Sequence, residues 1–405
     1  MLKKLAPALL AVLCCSPSAA APWAFEQVLQ SALQSHPQVL GKRAALAAAV
    51  QEREGAQWQR YPTPSVEASS QSGGTGVLRL DQPLWTGGRI TAGIDAADSR
   101  AKVAQWTVQE TRQELALKVV AASTEALRQQ ARQTHTMQGV NDHERLLAMM
   151  RRRVAQEVSP EADERMAQAR LYSAASDLSF ATQALNNALA QLSQLAGEPV
   201  TAMAMISLSE VSAPERLEDA LAKALESSPV LQRMAQEEQT AEADIAAKRA
   251  AYFPQLLLRL EHSEAGAFKD DRAMLVLLAQ PGAGLSAQSG VQAAVARREA
   301  AYLARQQAER DLRERLALDW NDWLASRQRL QNATLARAMS SEVSESYARQ
   351  FTIGRKTWID VLNAVRETVQ SELAIDDAQA QMVAASLRLR VLTHTLSALT
   401  PDSSP

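Results

Sequence analysis

Ala32-Leu33-Gln34-Ser35-His36-Pro37 returns as Ala224-Leu225-Glu226-Ser227-Ser228-Pro229, 192 residues later. Twenty-five residues after each closing proline stands an aromatic-proline pair, Tyr61-Pro62 and Phe253-Pro254. A second proline closes each following apolar segment, in Gln82-Pro83 and Gln280-Pro281. Beyond it the offset settles at 197: Gly93-Ile94 is answered by Gly290-Val291, and Asp163 by Asp360. Stacked-helix solenoids repeat every roughly 20–50 residues, so this much longer period marks a duplicated half-molecule. The repeats span 22–196 and 217–400, joined by a linker at 197–216 and followed by a tail at 401–405.

Each half reads as one hairpin among long helices. Phe25 to Ser35 makes a short amphipathic helix, and Pro37 opens the next one, proline being favoured at a first helical position. After Tyr61-Pro62-Thr63-Pro64 the period changes. Leu78 and Leu80 fall on one face, Arg79 and Asp81 on the other. The glycine-rich stretch Ser72-Gly73-Gly74-Thr75-Gly76 signals the turn, which sets a hairpin at 64–84. In the second half Leu256, Leu258 and Leu260 alternate with Leu257, Arg259 and Glu261. A polar loop from Glu264 to Asp271 and a returning strand from Ala273 to Ala279 complete a longer hairpin at 254–281.

Helical patterning then resumes over 88–157 and 290–351, at about 1.5 Å per residue near 100 Å for the first. After polar tips it returns over 160–196 and 358–396. Helices of this length belong to coiled coils or bundles. The four strands carry one polar face each and cannot close a barrel alone. Lipid tolerates no open sheet edge, so the hairpins require copies from other chains.

Composition narrows the classes. The net charge of −2 gives no electrostatic pull toward nucleic acid. Aromatic residues are only 4 % and alanine is abundant, which suits long helices packed through small side chains. Residues 1–21 read as a secretory signal: Lys3-Lys4, an apolar run from Leu5 to Cys15, and Ser18-Ala19-Ala20-Ala21 at the cleavage site. Cys14 and Cys15 both lie inside it, so the mature chain is expected to hold no thiol or disulfide. No later run reaches the roughly 18 apolar residues of a membrane helix. The histidines His36, His135, His143, His262 and His394 show no metal spacing, and Trp106, Trp320 and Trp323 read as packing residues. Neither a phosphate loop, a nucleophile elbow nor an acid–base pair is present. No enzyme, metal or cofactor is expected.

Three places now carry a resemblance: the duplicated helix-proline-strand junctions at Pro62 and Pro254, the stretch Leu80-Asp81-Gln82-Pro83-Leu84-Trp85-Thr86-Gly87-Gly88-Arg89, and the stretch from Phe351 to Ala364 with its Gly354, Thr357 and Asp360-Val361-Leu362. The chain resembles TolC-like outer-membrane efflux proteins over essentially its whole mature length. That resemblance implies a mainly α fold with a small transmembrane β part. Duplicated long-helix hairpins form an α-helical barrel, and four strands per protomer contribute to a trimeric 12-stranded β-barrel. It implies a homotrimer in the bacterial outer membrane, in contact with its lipids, with the helical tunnel in the periplasm. Such a channel works with a periplasmic adaptor and an inner-membrane ABC or proton-driven transporter, without nucleic acid.

The resemblance also assigns sites. An aperture is implied at Asp360, Asn363, Lys356, Asp163 and Phe351, where three copies of Asp360 facing one another would favour cations. Asn363 stands where the family often has a second acid, Lys356 where it can have arginine, and Phe351 where it has tyrosine. The bland reading of Asp360 is a solvated helix-start carboxylate. Adaptor docking falls on the tips, at Glu157, Val158, Ser159 and Pro160 and at Ile353, Gly354 and Arg355, with Glu157 in place of the family's glycine. Trp58, Tyr61, Trp85, Tyr252 and Phe253, with Gly87 and Gly88 at the strand-to-helix turn, suit a membrane-interface belt; helix–sheet packing explains them as well. The expected function is a passive exit duct. Type I protein secretion is placed ahead of small-molecule efflux with a proton-driven pump, and a periplasmic coiled-coil structural protein remains a more distant alternative.

Overall fold

The computed structural model describes residues 21–69, 75–206, 214, 216–265, 268–279, 283–284 and 286–393. The proposed signal through residue 20 lies outside them, with Cys14 and Cys15. So do the turn at Ser72-Gly73-Gly74, Gln280-Pro281, His394 and the tail.

The two halves are built from the same parts in the same order. The first holds α1 (Phe25–Ser35), α2 (Pro37–Trp58), β1 (Thr63–Ser69), β2 (Thr75–Trp85), α3 (Arg89–Ala155) and α4 (Glu161–Ala196). The second holds α5 (Leu217–Ser227), α6 (Pro229–Ala250), β3 (Gln255–Ala265), β4 (Phe268–Leu278), α7 (Ser286–Thr352) and α8 (Trp358–Thr393). Helix lengths agree residue for residue, at 11, 22, 67 and 36 in both halves. The echoed prolines explain the joints. Pro37 and Pro229 each begin a helix, capped by the His36 ring accepting from Gln38 N–H and by the Ser228 hydroxyl accepting from Leu231 N–H.

The two hairpins join into a single antiparallel sheet, ordered β1-β2-β3-β4. Register puts Leu78 beside His262, Leu80 beside Leu260, and Leu258 beside Leu275, so these share one face. The opposite face carries a charged ladder. Arg79 donates to Glu67 at 2.8 Å and to Glu261 at 2.9 Å, and Arg259 grips Asp81 with two hydrogen bonds at 2.7 and 2.8 Å. Such cross-strand charge pairs pin register. The alternation expected for Leu78 to Asp81 and for Leu256 to Glu261 is therefore realised.

The strands are longer than the sequence suggested. β2 continues through Gln82 and Pro83 to Trp85, with a register shift between Pro83 and Trp85. Proline cannot donate to the ladder, and the irregularity absorbs it. β4 begins at Phe268 rather than Ala273, and the Glu264–Asp271 stretch read as loop is largely strand. Its charged residues find partners across the hairpin, Lys269 with Glu264 at 2.8 Å and His262 with Asp271. Polarity there marks a wet end of the sheet, not a loop. α7 likewise starts at Ser286, ahead of Gly290.

α3 runs through the middle of the chain. It packs against α2 and α4 of its own half and against α6 and α8 of the other; α7 packs against α6 and α8. Among the described residues α3 buries 24 residues and α7 only 5, so α3 is flanked on both sides and α7 on one. The halves are tied by His135 Nδ1 and Asp376 Oδ2 at 2.7 Å, by Arg128 and Asp377 at 3.4 Å, and by Arg100 and Asp244 at 3.2 Å. Burial raises the Asp376 carboxyl above its ordinary value, against the pull of His135.

The main core lies where α1 packs on α3 and α4, with α8 side chains joining the same cluster. Val28, Leu29 and Leu33 meet Leu115, Val119, Leu192 and Leu387, and small residues such as Ala116, Ala126 and Ala196 let the backbones close up. Burying each large side chain contributes about 1.5–3 kcal/mol. The linker is pinned here too: Trp23 N–H donates to Ala202 O at 2.9 Å, and Ala204 N–H to Trp23 O at 2.8 Å. No helix among the described residues is long and apolar enough to cross a membrane.

The strand-to-helix turn tests the geometry. Gly87 and Gly88 have φ of 61° and 90°. A Cβ on Gly87 would stand 2.6 Å from Phe253 Cβ, whereas Gly88 has open space. Gly87→Ala is expected to destabilise by about 2–4 kcal/mol, from left-handed strain plus overpacking, and Gly88→Ala by about 1–2 kcal/mol from strain alone. Thermal melts followed by helical circular dichroism rank the two; equal losses contradict the close-approach argument.

Candidate functional site

The far end of the molecule is made by the two helical tips. Each long helix stops in the same way. In the first tip Val158 N–H donates to Arg153 O and Glu157 N–H to Val154 O, both at 2.9 Å; in the second Arg355 N–H donates to Gln350 O at 2.9 Å and Gly354 N–H to Phe351 O at 3.1 Å. These are matching Schellman closures, which require a left-handed residue after the helix. Gly354 meets that need at φ 77°, and Glu157 meets it at φ 60°. Glu157 is the only non-glycine with positive φ among the described residues. The left-handed shape that Gly354 takes freely is thus kept at Glu157, at the cost of strain.

The returning helices start differently. Pro160 precedes α4, with no side-chain cap, and Glu161, Asp163 and Glu164 crowd its first turn. α8 starts with a reciprocal box. Asp360 Oδ2 accepts from the Thr357 N–H at 3.0 Å and the Thr357 hydroxyl at 2.7 Å, while Asp360 N–H donates to Thr357 Oγ1 at 3.4 Å. The Thr357 hydroxyl and N–H hold the Asp360 carboxyl below its ordinary value, with a further contribution from Lys356. Within the chain, Asp360 thus has the helix-start role.

The tips share one apolar cluster. Phe351, Trp358, Val361 and Leu362 pack with Leu147, Met150 and Ala167. Phe351 and Trp358 rings lie 5.3 Å apart, and Arg153 stacks 4.7 Å over Phe351 while donating to the Ser159 hydroxyl at 3.1 Å. Phe351 is buried, so it belongs to this core and not to an open face. Lys356 Nζ sits 4.1 Å over the Tyr347 ring. It reaches an aromatic face where an arginine fork would seek carboxylates.

A crevice of about 430 Å³ between the tips is lined by Asp163, Lys356, Thr357, Gly354, Val158, Ser159 and Pro160. It therefore gathers residues expected at the aperture and residues expected at the docking tips. Asp163 makes no ion pair with Lys356 among the described residues. Val158 and Ile353 are 59 % and 66 % exposed, Arg355 and Asn363 also face outward, and Asp360 is half-buried. Sequence reading missed Arg153, Tyr347, Leu147 and Met150. Only the i, i+4 step from Tyr347 to Phe351 hinted at them.

At the other end the aromatics collect beneath the sheet. Trp58 and Tyr61 rings are 5.1 Å apart, and Trp85 meets Phe253 edge-on at 6.1 Å. These four and Tyr252 are 48–68 % exposed.

The sequence pattern of the family described as "Outer membrane efflux protein" matches residues 28–198 and 220–394. The chain belongs to this outer membrane efflux protein family. Its two matched stretches coincide with the two structural halves and leave the linker out. No curated protein matches the chain. Among solved structures, the fold is similar to the outer membrane protein VceC from Vibrio cholerae, with 16 % identity, TM-score 0.79, and 91 % of this chain and 96 % of that one covered. It is also similar to CusC, at 15 % identity and TM-score 0.83 with 91 % of each chain covered. The open-state MtrE outer membrane channel of Neisseria gonorrhoeae matches at 15 % identity and TM-score 0.77, covering 94 % of this chain and 91 % of that one. The protein is accordingly an outer-membrane efflux channel component with a periplasmic helical part. Channels of the family are trimeric and work with adaptor and inner-membrane transporter proteins.

Two outcomes follow for this tip. Glu157→Gly removes left-handed strain and is expected to stabilise by about 1 kcal/mol, read as a higher melting midpoint. For Thr357→Val, the sign runs through Asp360. Its folded pKa lies below the ordinary 3.8, so the cap stabilises fully above that value and its contribution vanishes as pH falls through the lowered one. The variant should melt below wild type at pH 7, with the gap narrowing on acidification below about pH 4. A gap independent of pH contradicts the assigned cap.

Proposed function

We propose that three copies of this chain close into one continuous duct, with the sheet in the outer membrane and the helices in the periplasm. One observation carries the reading: α3 has both flanks filled within the chain, while its repeat α7 has only one. The same holds in the sheet, where β2 pairs with β1 and β3 but β4 pairs with β3 alone. A neighbouring copy offering α2, α4 and β1 supplies what α7 and β4 lack. Leu303, Leu318, Leu335 and Met339 are exposed apolar residues along α7, suited to that contact. Three such steps give a heterologous ring with 12 strands.

In this duct the exposed rings of Trp58, Tyr61, Trp85, Tyr252 and Phe253 form the periplasmic-side lipid belt, with Gly87 and Gly88 turning the chain beneath it. The crevice holding Asp163, Lys356 and the Asp360 cap is the closing device, with Asn363 one turn on and Phe351 holding the tip from within. Glu157 to Pro160 and Ile353 to Arg355 are the surfaces offered to the adaptor. The duct is passive, and the inner-membrane transporter supplies the energy. For cargo we put small molecules first, with the word efflux in the family's description as the support, although that description names no cargo; secretion of an unfolded protein, placed first on the sequence, is the other outcome of the test.

The test has two arms. Detergent-extracted protein is expected to run as a trimer and to form pores in planar bilayers. Lys356→Ala is expected to raise single-channel conductance by loosening the tip from Tyr347; unchanged conductance removes Lys356 from the gate, and monomeric pore-free protein overturns the duct. Deletion in the host should raise intracellular retention of small toxic compounds, whereas loss of a secreted protein without that retention reverses the cargo assignment.

A further inference from the structure

Above the tips, a groove of about 100 Å³ lies between three helices. That is the volume of roughly three liquid waters. α3 contributes Thr136 and His143, α4 contributes Arg170 and Asp177, and α8 contributes Arg366. His143 is only 9 % exposed, and its Nδ1 has no hydrogen-bond partner. Natural interiors rarely leave such an atom unpaired without an unseen partner. Arg170 and Arg366 make no ion pair among the described residues. The walls therefore carry two guanidinium charges against the one carboxylate of Asp177. Burial pushes the His143 imidazole down, with Arg170 adding to the shift and Asp142 opposing it.

The duplication did not supply this arrangement. One repeat on, Ser340 stands in the place of His143 and Glu367 in the place of Arg170. The constellation is particular to the first half, where α3 is flanked by both α4 and α8.

We propose that the groove binds one small inorganic oxyanion, of the sulfate or phosphate class. The ion sits between the Arg170 and Arg366 guanidinium groups, whose planar donor forks match oxyanion geometry, and the His143 ring donates from the floor. Asp177 opposes it and limits the site to modest affinity. A bound anion links α4 to α8 across α3, and so couples the helix that begins near Asp163 to the one that begins near Asp360. It also favours protonation of His143, so binding strengthens as pH falls.

Calorimetric titration of the full chain in detergent, with sodium sulfate, whose charge is the same at pH 6 and pH 8, at ionic strength held constant by chloride, tests this. Wild type is expected to take up one ion per chain, more tightly at pH 6 than at pH 8. Arg366→Gln and Arg170→Gln should each weaken binding by about tenfold or more. His143→Gln should abolish the pH dependence. Arg366 is exposed, so its variant should melt like wild type in chloride and keeps the test valid. No saturable uptake by wild type, or equal affinity in the Arg366 variant, overturns the site.

Discussion

Every backbone amide and carbonyl in the sheet must find a partner where water is absent. Inside one chain, β2 and β3 are paired on both sides, while the outer edges of β1 and β4 are not. Hydrocarbon offers those edges nothing, and each unsatisfied group there costs several kcal/mol. The rest of the architecture answers to that requirement. Leucines crowd one face of the sheet, a charged ladder crowds the other, and the helices carry the same open flank down from β4 along α7. In the proposed duct, an edge that needs closing in the membrane becomes an interface along the whole molecule.

The duplication makes closure possible because the parts match in length. Helices of 11, 22, 67 and 36 residues recur in each half, so the α3-to-α6/α8 contact inside the chain is a template for an α7-to-α2/α4 contact between chains. Exact repetition would give a tube with no distinguishing features, and the halves diverge at specific places. Glu157 holds a left-handed turn that Gly354 takes without strain. Pro160 starts α4 bare, whereas Thr357 and Asp360 cap α8 reciprocally. His143 and Arg170 have no counterpart one repeat on. These differences cluster at the tips and just above them.

Much of this was legible from residue order. Pro37 and Pro229 announced helix starts because proline at a first helical position loses no hydrogen bond. The Leu-Arg-Leu-Asp alternation announced a two-faced strand because side chains alternate across a pleat. The ends of the hairpins were not legible. Glu264 to Asp271 looked like loop, since charge usually marks solvent, and only pairing across the strands shows charge opposite charge. Nor was the tip network. Phe351 read as an aperture residue by resemblance, but Trp358, Leu147 and Met150 enclose it. His143 read as an ordinary packed or exposed histidine, and nothing near it in sequence suggested that α4 and α8 bring arginines to its side.

By itself, then, the sequence determined the periodic features: two halves, long helices broken by hairpins, and the family to which that pattern belongs. Those follow from local rules, because proline, glycine and side-chain alternation act within a few residues. Tertiary structure alone decided which charges pair across the two halves, as Arg79 with Glu261 and His135 with Asp376, that Leu147 and Met150 enclose Phe351, and that α3 is enclosed while α7 is open. Those depend on residues tens to hundreds of positions apart, and only the packing of helices some 100 Å long sets the distances between them.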